Sequence, residues 1–352
     1  MATDEGLTEA YDFDLPQALI AQSHSRPRDA SRLLVMRDGL LEDARFSGLP
    51  RYLRAGDLLV LNETRVIAAR LFGIREGSGG AVEVLLLRPA AQQRYDARAL
   101  RWQALVKPGR RLRTGMRILF GSDASALVAA DLHEGVRELE FTLTVPFEQF
   151  LERAGRLPLP PYIKNESQEA QEDYQTIFAR EPGSVAAPTA SLHFTDAVMN
   201  ELAEGGVQLV RLTLDIGLGT FRPMKGNRLS EHHMHAESFA VPAKTAEAVA
   251  RAKAEGRRVI ASGTTVMRAL EGSAAKHGVV RAGEDETDIF ITPGFSFRIV
   301  DALITNFHLP QSTLLVLVSA FAGREAILHA YQTAVERGYR FFSFGDAMFI
   351  EP

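Results

Sequence analysis

The local pattern of this chain changes at a proline-rich segment, Leu-Pro-Leu-Pro-Pro at residues 157–161. A stiff segment of this kind is a natural boundary between domains. Before it, short β-prone runs alternate with turn residues, which favours a small antiparallel barrel or sandwich. The predicted strands are 58–61, 66–72, 82–87, 102–106, 116–120, 126–130 and 136–142, followed by a short helix at 146–154.

After the proline-rich segment, helical and strand patterns alternate, which predicts an α/β layered architecture. One helix is predicted from a cap at Thr195 to residue 204. Further helices are predicted at 243–255, 264–275, 313–322 and 325–337. Strands are predicted at 207–215, 257–261, 287–291 and 339–343, with another apolar strand ending at Asn306. The chain has 352 residues, which is more than one hydrophobic core usually holds. We therefore expect an α/β domain of residues 1–60 and 155–352 with an inserted small all-β barrel-like domain at 61–154.

Composition excludes several classes of site. The chain has no cysteine, which rules out disulfides, cysteine-bound zinc, iron–sulfur clusters and a thiol nucleophile. No apolar run is long enough to span a bilayer, and the first ten residues do not resemble a secretory signal. We expect a monomeric cytoplasmic protein with no membrane partner.

A basic run lies within the predicted barrel, although the net charge of the whole chain is −4. Between residues 94 and 117 only Asp96 opposes the basic side chains, which are Arg94, Arg98, Arg101, Lys107, Arg110, Arg111, Arg113 and Arg117. Such a run is either a solvated basic face or a surface that contacts phosphates.

Two glycine-containing segments are candidate ligand sites. Gly263, Thr264 and Thr265 follow a predicted strand and open a helix, where free N–H groups favour an anion, although Thr264 could simply cap the helix. Residues 215–223 contain Gly217, Gly219, Thr220 and Arg222, which suit either a close approach to a ligand or a bulge and turn. Neither segment is a dinucleotide-binding or Walker A fingerprint.

Three other segments carry polar side chains suited to chemistry. In residues 231–237, His233, His235 and Glu237 would share one face of an extended chain, which suits acid–base chemistry, a metal site or a solvated loop. Thr189 and His193 lie in a loop of small residues before a helix, and His193 suits either a structural or a catalytic role. Asn306, Phe307 and His308 follow a predicted strand, where ligands of α/β sheets gather; Phe307 suits either purine stacking or the core.

In order along the chain, these motifs resemble the family of S-adenosylmethionine:tRNA ribosyltransferase-isomerases. Besides the segments above, the resemblance rests on Tyr11-Asp12-Phe13-Asp14-Leu15-Pro16, Arg28-Asp29-Ala30-Ser31-Arg32-Leu33, Asn62-Glu63-Thr64-Arg65-Val66-Ile67, Pro182-Gly183-Ser184-Val185-Ala186-Ala187-Pro188-Thr189-Ala190 and Gly345-Asp346-Ala347-Met348. The sequence departs from the family pattern at Ser191, Asp215, Ala236 and Val266-Met267, where glycine, histidine, serine and Ser-Val are usual.

The resemblance implies transfer and isomerisation of the ribosyl group of S-adenosylmethionine onto 7-aminomethyl-7-deazaguanine at the tRNA wobble position. The products are epoxyqueuosine-tRNA, adenine and methionine. S-adenosylmethionine is then a co-substrate, and no prosthetic group or metal is implied. The sulfonium acidifies the adjacent ribose C–H, so the reaction needs a base of near-neutral pKa, an acid for adenine and a pocket that excludes water.

The resemblance also suggests roles for residues. The expected catalytic residues are His193, His233, His235, Glu237 and His308, with His235 the leading base. The expected substrate contacts are Thr189, Gly217, Gly219, Thr220, Arg222, Gly263, Thr264, Thr265, Asn306 and Phe307. Arg65, Arg70, Arg110, Arg111 and Arg113 are expected to bind tRNA, and Arg268 to bind a tRNA phosphate or the substrate carboxylate.

Two alternative functions are weighed against this hypothesis. A methyltransferase using the same co-substrate is disfavoured because no glycine-rich first strand–helix turn occurs near the N-terminus. A non-catalytic RNA-binding protein with a small barrel is disfavoured because binding alone does not need the dense His, Glu and Thr motifs.

Overall fold

The computed structural model describes residues 4–90, 99–132, 135–164, 167–217, 224 and 226–352. The chain divides into two compact units. The larger unit comprises Met1–Arg65, Pro160–Glu181 and Ala187–Pro352, and the barrel unit comprises Val66–Leu159 and Pro182–Ala186.

The strands and helices are numbered in chain order. Strands β1 to β18 are Arg32–Arg37, Leu40–Arg45, Leu58–Asn62, Thr64–Val66, Arg70–Arg75, Ala81–Pro89, Ala99–Lys107, Arg117–Phe120, Ala124–Asp131, Val136–Leu143, Gly155–Arg156, Glu181–Ser184, Gln208–Leu214, Glu237–Val241, Val259–Ser262, Gly283–Thr287, Ala302–Asn306 and Ala347–Glu351. Helices α1 to α7 are Phe147–Ala154, Gln168–Asp173, Asp196–Glu204, Ala243–Ala254, Thr264–His277, Thr313–Ala322 and Arg324–Glu336.

The larger unit is built on one mixed sheet in the order β16-β14-β13-β3-β15-β17-β18-β1-β2. Its central strands β13, β3, β15 and β17 are parallel. The strands β14, β16 and β18 run antiparallel to their inner neighbours, and β1 is parallel to β18. Because the parallel strands β15 and β17 are adjacent, their carboxyl ends lie side by side at one edge, where ligands of such sheets gather.

One face of this sheet packs on α3. Alternate residues of the strands, such as Leu59 and Ile304, join Val198 and Leu202 of α3 in one buried apolar cluster. Thr195 caps α3 by accepting a hydrogen bond from the backbone N–H of Val198. This period-two burial, combined with a capped amphipathic helix, produces the layered architecture.

The barrel unit contains a closed antiparallel barrel. Six strands follow the order β5-β6-β7-β10-β9-β8, and a further pairing of β5 with β8 closes the ring. Trp102 and Phe141 are buried inward-facing residues, and helix α1 adds Phe147 and Phe150 to the same aromatic group. Closure removes the sheet edges that an open sheet of this size would expose.

The α/β layering and the all-β barrel confirm the predicted fold class, and the predicted helices occur within two residues of the expected bounds. Two strand predictions were wrong: the strand near 287–291 lies at Gly283–Thr287, and residues 339–343 form no strand. The predicted strand 66–72 is divided between β4 and β5. The strand predicted at 58–61 belongs to the large sheet.

Within the described residues, no single helix combines the length and the apolar composition needed to cross a membrane. Helices α6 and α7 meet these criteria only as a pair, and the chain bends by 117° between them.

Candidate active site

A pocket with about 830 Å³ of free space, partly open to solvent, lies at the carboxyl ends of β15 and β17. Its lining combines apolar and aromatic side chains with a few polar groups, as small-molecule sites do. The pocket brings together these sequence-predicted residues: Thr189, Gly263, Thr264, Thr265, Asn306, Phe307 and His308.

One wall is the start of α5. Gly263 joins β15 to α5 with φ of +99° and ψ of 152°, a conformation that residues with a Cβ rarely adopt. Thr264 and Thr265 then form the first helical positions, where backbone N–H groups have no intrahelical acceptor and the helix dipole is positive. The hydroxyl of Thr265 is buried and has no hydrogen-bond partner among the described residues. This wall therefore suits an anionic or hydroxyl-bearing ligand group.

A second wall is formed by Asn306 at the end of β17. Its Oδ1 accepts a hydrogen bond from the Thr189 hydroxyl (2.8 Å), and its Nδ2 lies 3.1 Å from Nε2 of His193. Nδ1 of His193 lies 2.9 Å from the hydroxyl of Ser31. His193 does not line the pocket; it is fully buried behind Asn306. Burial, with smaller contributions from Arg340 and Arg28, lowers its pKa to about 3, so the ring is neutral at physiological pH.

The residues after Asn306 have different surroundings. His308 lines the pocket and its Nε2 lies 2.8 Å from the hydroxyl of Thr305, while burial lowers the pKa of the imidazole to about 3. The imidazole is therefore neutral at physiological pH, and its pKa lies below the near-neutral range that suits a general base. The ring of Phe307 is fully buried against Tyr331 and Phe341. Of its two expected roles, the structure therefore favours the core.

Two aromatic residues of the pocket were not predicted from the sequence. Tyr162 follows the proline-rich segment, and its ring centroid lies 4.2 Å from that of Phe342. The Tyr162 hydroxyl is hydrogen-bonded to Ser343. Phe342 has φ of +72°, the left-handed region in which a bulky residue is strained. Such strain is often found at functional sites, but neither residue has a local sequence signal because the pairing joins segments far apart in the chain.

Glu237 and Arg268 form a buried ion pair next to the pocket. Arg268 is one helical turn beyond Thr264 on α5, and it donates to Oε2 of Glu237 at the start of β14. The other oxygen of Glu237 accepts a long hydrogen bond, 3.4 Å, from the backbone N–H of Gly217. Ile216 lines the pocket. Nη2 of Arg268 is buried and lacks a partner within the part of the chain that the structure describes.

The histidines that precede Glu237 lie elsewhere. His233 and His235 are exposed and do not line the pocket, and residues 232–236 are not in a strand, so the expected shared face with the buried Glu237 is not formed. Their catalytic roles stay predictions. Gly219, Thr220 and Arg222 lie outside the described residues. Among the described side chains, no group of three or more His, Asp or Glu is arranged to hold a metal ion.

Two departures from the family pattern are accommodated by hydrogen bonds. The hydroxyl of Ser191 lies 2.8 Å from that of Ser262. Asp215 accepts a hydrogen bond of 2.9 Å from the hydroxyl of Thr64. Burial raises the pKa of Asp215, and the charge of Glu237 adds to this effect. Both substitutions are therefore held in place by neighbouring hydroxyl groups.

Comparison of the whole chain with known proteins identifies its family. A sequence model described as "Queuosine biosynthesis protein" matches residues 8–350. The chain belongs to this queuosine biosynthesis protein family.

Relatives of this chain match over nearly their full lengths. The S-adenosylmethionine:tRNA ribosyltransferase-isomerase of Moorella thermoacetica is 52% identical over 346 residues, covering 97% of this chain and 99% of the relative. The enzyme of the same name from Carboxydothermus hydrogenoformans is 52% identical over 343 residues, with 97% and 98% covered. The crystal structure of S-adenosylmethionine tRNA ribosyltransferase from Thermotoga maritima is similar with a TM-score of 0.54 at 34% identity, covering 97% of this chain and 99% of that one.

The barrel unit carries the described part of the basic run. Arg110, Arg111 and Arg113 are exposed and form no ion pair with any described residue. Arg101 is paired with Glu138 and Glu140 of the adjacent strand. Lys107 is likewise exposed and has no ion pair with a described residue, so the free positive charge of the run lies at residues 107–113.

The other arginines of the basic run, and the other arginines expected to bind tRNA, differ in whether they form ion pairs. Arg117 lies 3.8 Å from a carboxylate oxygen of Glu76. Nε of Arg70 lies 2.7 Å from Oε1 of Glu83, whereas Arg65 in the larger unit is exposed. Arg94 and Arg98 lie outside the described residues. Partial neutralisation leaves Arg70 and Arg117 less suited to phosphates than residues 110–113.

Proposed function

We propose that this chain is an S-adenosylmethionine:tRNA ribosyltransferase-isomerase. It transfers and isomerises the ribosyl group of S-adenosylmethionine onto 7-aminomethyl-7-deazaguanine at the tRNA wobble position, and adenine and methionine leave. The observation that supports this most is one pocket that combines the start of α5, the Asn306 amide, His308 and an aromatic pair. Relatives at about 50% identity over nearly the whole chain bear the name of this activity. They do not favour a methyltransferase or a non-catalytic RNA-binding protein.

The pocket matches the chemical groups of S-adenosylmethionine. The start of α5 provides N–H groups and the unpartnered hydroxyl of Thr265 for the methionine carboxylate or a ribose hydroxyl. The rings of Tyr162 and Phe342 provide an aromatic surface for adenine and for the sulfonium cation. Asn306 and Thr189 provide hydrogen-bonding groups for the nucleoside.

The reaction requires proton transfers at the nucleoside. Removal of a ribose proton beside the sulfonium creates a carbanion-like carbon, and adenine leaves as it accepts a proton. The amine of the deazaguanine then forms its bond to a sugar carbon and gives up a proton to a base. An alkoxide of the sugar closes the epoxide and displaces methionine from the carbon that carried the sulfonium. The proposed residues for these transfers are His235 as leading base, with His233, Glu237 and His308. His193, which the sequence also suggested, is buried behind Asn306 and does not line the pocket. Single-turnover ribosyl transfer by His235→Ala tests the leading role, and a wild-type rate would remove His235 from the chemistry.

The tRNA is proposed to contact the barrel through Arg110, Arg111 and Arg113, with Arg65 and Arg70 as further contacts. Arg110, Arg111 and Arg113 are exposed and have no ion pair with a described residue, so their guanidinium groups are available to bind phosphates. We further propose that the protein acts as a monomer in the cytoplasm. Sedimentation of the purified protein tests the monomer, and a stable dimer at low micromolar concentration would overturn it.

The activity is tested with two preparations of S-adenosylmethionine, one labelled in the ribose and one in the methyl group. The proposal predicts ribose label on tRNA that carries 7-aminomethyl-7-deazaguanine and no methyl label. Methyl label on the RNA would instead identify a methyltransferase. Binding of the RNA with neither label transferred would identify a non-catalytic binding protein.

The ligand role of the α5 wall is tested by Thr264→Val and Thr265→Val, which remove hydroxyls while keeping the side-chain shape. We expect weaker binding of S-adenosylmethionine in both. Thr265→Val should also stabilise the ligand-free protein by about 1 kcal/mol, because it removes an unpaired buried hydroxyl. Unchanged affinity in both variants would remove this wall from the substrate site.

A further inference from the structure

We propose that His193 is a positioning residue: it fixes the amide of Asn306, so that Asn306 selects the 6-amino edge of the adenine of S-adenosylmethionine. The inference rests on the proposed function and gives His193 a role different from that of a base.

A chain of three hydrogen bonds defines the orientation of the Asn306 amide. The Thr189 hydroxyl donates to Oδ1 of Asn306 over 2.8 Å. Nδ2 can only donate, so over 3.1 Å it donates to Nε2 of His193. Nε2 is then unprotonated, and the neutral ring carries its proton on Nδ1, which donates to the Ser31 hydroxyl over 2.9 Å.

The ring of His193 is enclosed and stays neutral. It has no exposed surface, and the rings of Phe46 and His24 lie 5.1 Å and 5.9 Å away by centroid. Burial lowers the pKa of His193 to about 3, with Arg340 and Arg28 acting in the same direction. A protonated ring would present a donor at Nε2 and could not accept from Asn306. Burial therefore keeps the ring in the form that orients the amide.

The orientation leaves Asn306 with one N–H and one oxygen lone pair for a ligand, and Asn306 lines the pocket. Adjacent donor and acceptor groups of a carboxamide complement the 6-amino group and ring nitrogen at one edge of adenine. A 6-oxo purine places an acceptor where that edge has a donor. A fixed amide therefore rejects it, whereas a freely rotating amide accepts both.

The experiment measures binding of S-adenosylmethionine and of its 6-oxo analogue, in which inosine replaces adenosine. Wild type should prefer the amino form by about tenfold or more, as expected for one mismatched hydrogen bond. Asn306→Ala should lose this preference. His193→Ala should lose most of it, and His193→Gln, which keeps an acceptor near the position of Nε2, should retain it. The double variant of His193 and Asn306 to alanine should resemble Asn306→Ala, because both act through one contact.

Kinetics separate positioning from other roles. His193→Ala should raise KM for S-adenosylmethionine while leaving KM for tRNA and the shape of the kcat–pH profile unchanged. Loss of one limb of that profile would identify His193 as a base and overturn the inference.

The purine preference gives a second test. If wild type and Asn306→Ala prefer the amino form equally, the inference is overturned, and this result does not depend on whether the His193 variants fold. If wild type binds no S-adenosylmethionine, the proposed function fails as well. If wild type transfers ribose but binds both purine analogues equally, only the inference fails.

Discussion

Arg268 donates a hydrogen bond to Glu237 inside the protein, one turn of α5 beyond the threonines that line the pocket. Both side chains are almost completely buried. Charges removed from water in this way depend on each other, since each loses its hydration and its opposite charge is its main source of stabilisation. Arg268 also donates to the backbone carbonyl of Ile289. The pair also links α5 to β14 and, through Glu237, to the backbone of Gly217.

The first prediction concerns this ion pair. Arg268→Met should lower the free energy of unfolding by about 3–5 kcal/mol, because it leaves the carboxylate of Glu237 buried without its partner. Urea unfolding measures the change. Lys276→Met is the control, since Lys276 lies on the same helix but pairs with Asp285 at the surface and should cost less than about 1 kcal/mol. Equal losses in the two variants would show that the buried pair is not formed.

The second prediction concerns pH. Burial lowers the pKa of His193 and of His308 to about 3, and that of His24 to about 2. In the unfolded chain these histidines take up protons below about pH 6.5. In the folded protein His193 and His308 stay unprotonated down to about pH 3. Stability should therefore decrease as the pH falls from 6.5, by up to about 1.4 kcal/mol per pH unit for each histidine.

Unfolding in urea at several pH values between 4.5 and 7.5 measures this slope. Neither ring nitrogen of His24 has a hydrogen-bond partner among the described residues. His24→Phe should thus keep a ring and reduce the slope by about one proton. His329→Gln, at an exposed histidine, is the control. A slope in His24→Phe equal to that of the control would contradict the burial of a neutral imidazole.

The third prediction concerns the strained residue Phe342. Phe342→Ala keeps a side chain at φ of +72°, whereas Phe342→Gly relieves the strain. The glycine variant should be more stable than the alanine variant by about 1 kcal/mol. Both lack the ring beside Tyr162 and should bind S-adenosylmethionine more weakly than wild type. Calorimetry measures both quantities, and wild-type affinity in the two variants would remove Phe342 from the ligand site.

The fourth prediction concerns the exposed arginines of the barrel. Replacing Arg110, Arg111 and Arg113 together with glutamine should weaken tRNA binding. It should also flatten the dependence of log K on log salt by about 0.7–0.9 for each phosphate that the variant no longer neutralises. Arg153→Gln is a control on the same unit, because Arg153 is exposed and pairs with Asp123. If the triple variant and the control show the same salt slope, these arginines do not contact the tRNA phosphates.

Capping residues and glycines in the sequence predicted where the helices begin and end. Thr195 caps α3, and glycine at 205, 256 and 323 ends a helix or separates two, as expected from the sequence. Residues 339–343 have an apolar pattern suited to a strand. However, Phe342 turns the chain into the left-handed region, and Phe341 makes only an isolated bridge with Ile20. Strand β16 was misplaced because its residues 283–286, Gly-Glu-Asp-Glu, are poor strand formers; β14 supplies its partner.

The site was predictable where it follows the strand order. Thr264, Thr265, Asn306 and His308 follow adjacent parallel strands, and ligand sites collect at such ends. The roles of the residues within the site depend on their burial and on contacts between distant segments, which local sequence patterns do not show. The position of His193 behind Asn306 and the pairing of Tyr162 with Phe342 are two examples.

The most direct measurement is the release of free adenine from S-adenosylmethionine by the purified protein. It should be followed by chromatography, with tRNA that carries 7-aminomethyl-7-deazaguanine and with the same tRNA carrying guanine. We expect adenine and methionine in equal amounts, matched by the modified nucleoside, with the first tRNA and none with the second. No adenine and no altered nucleoside with the first tRNA would contradict the proposed activity.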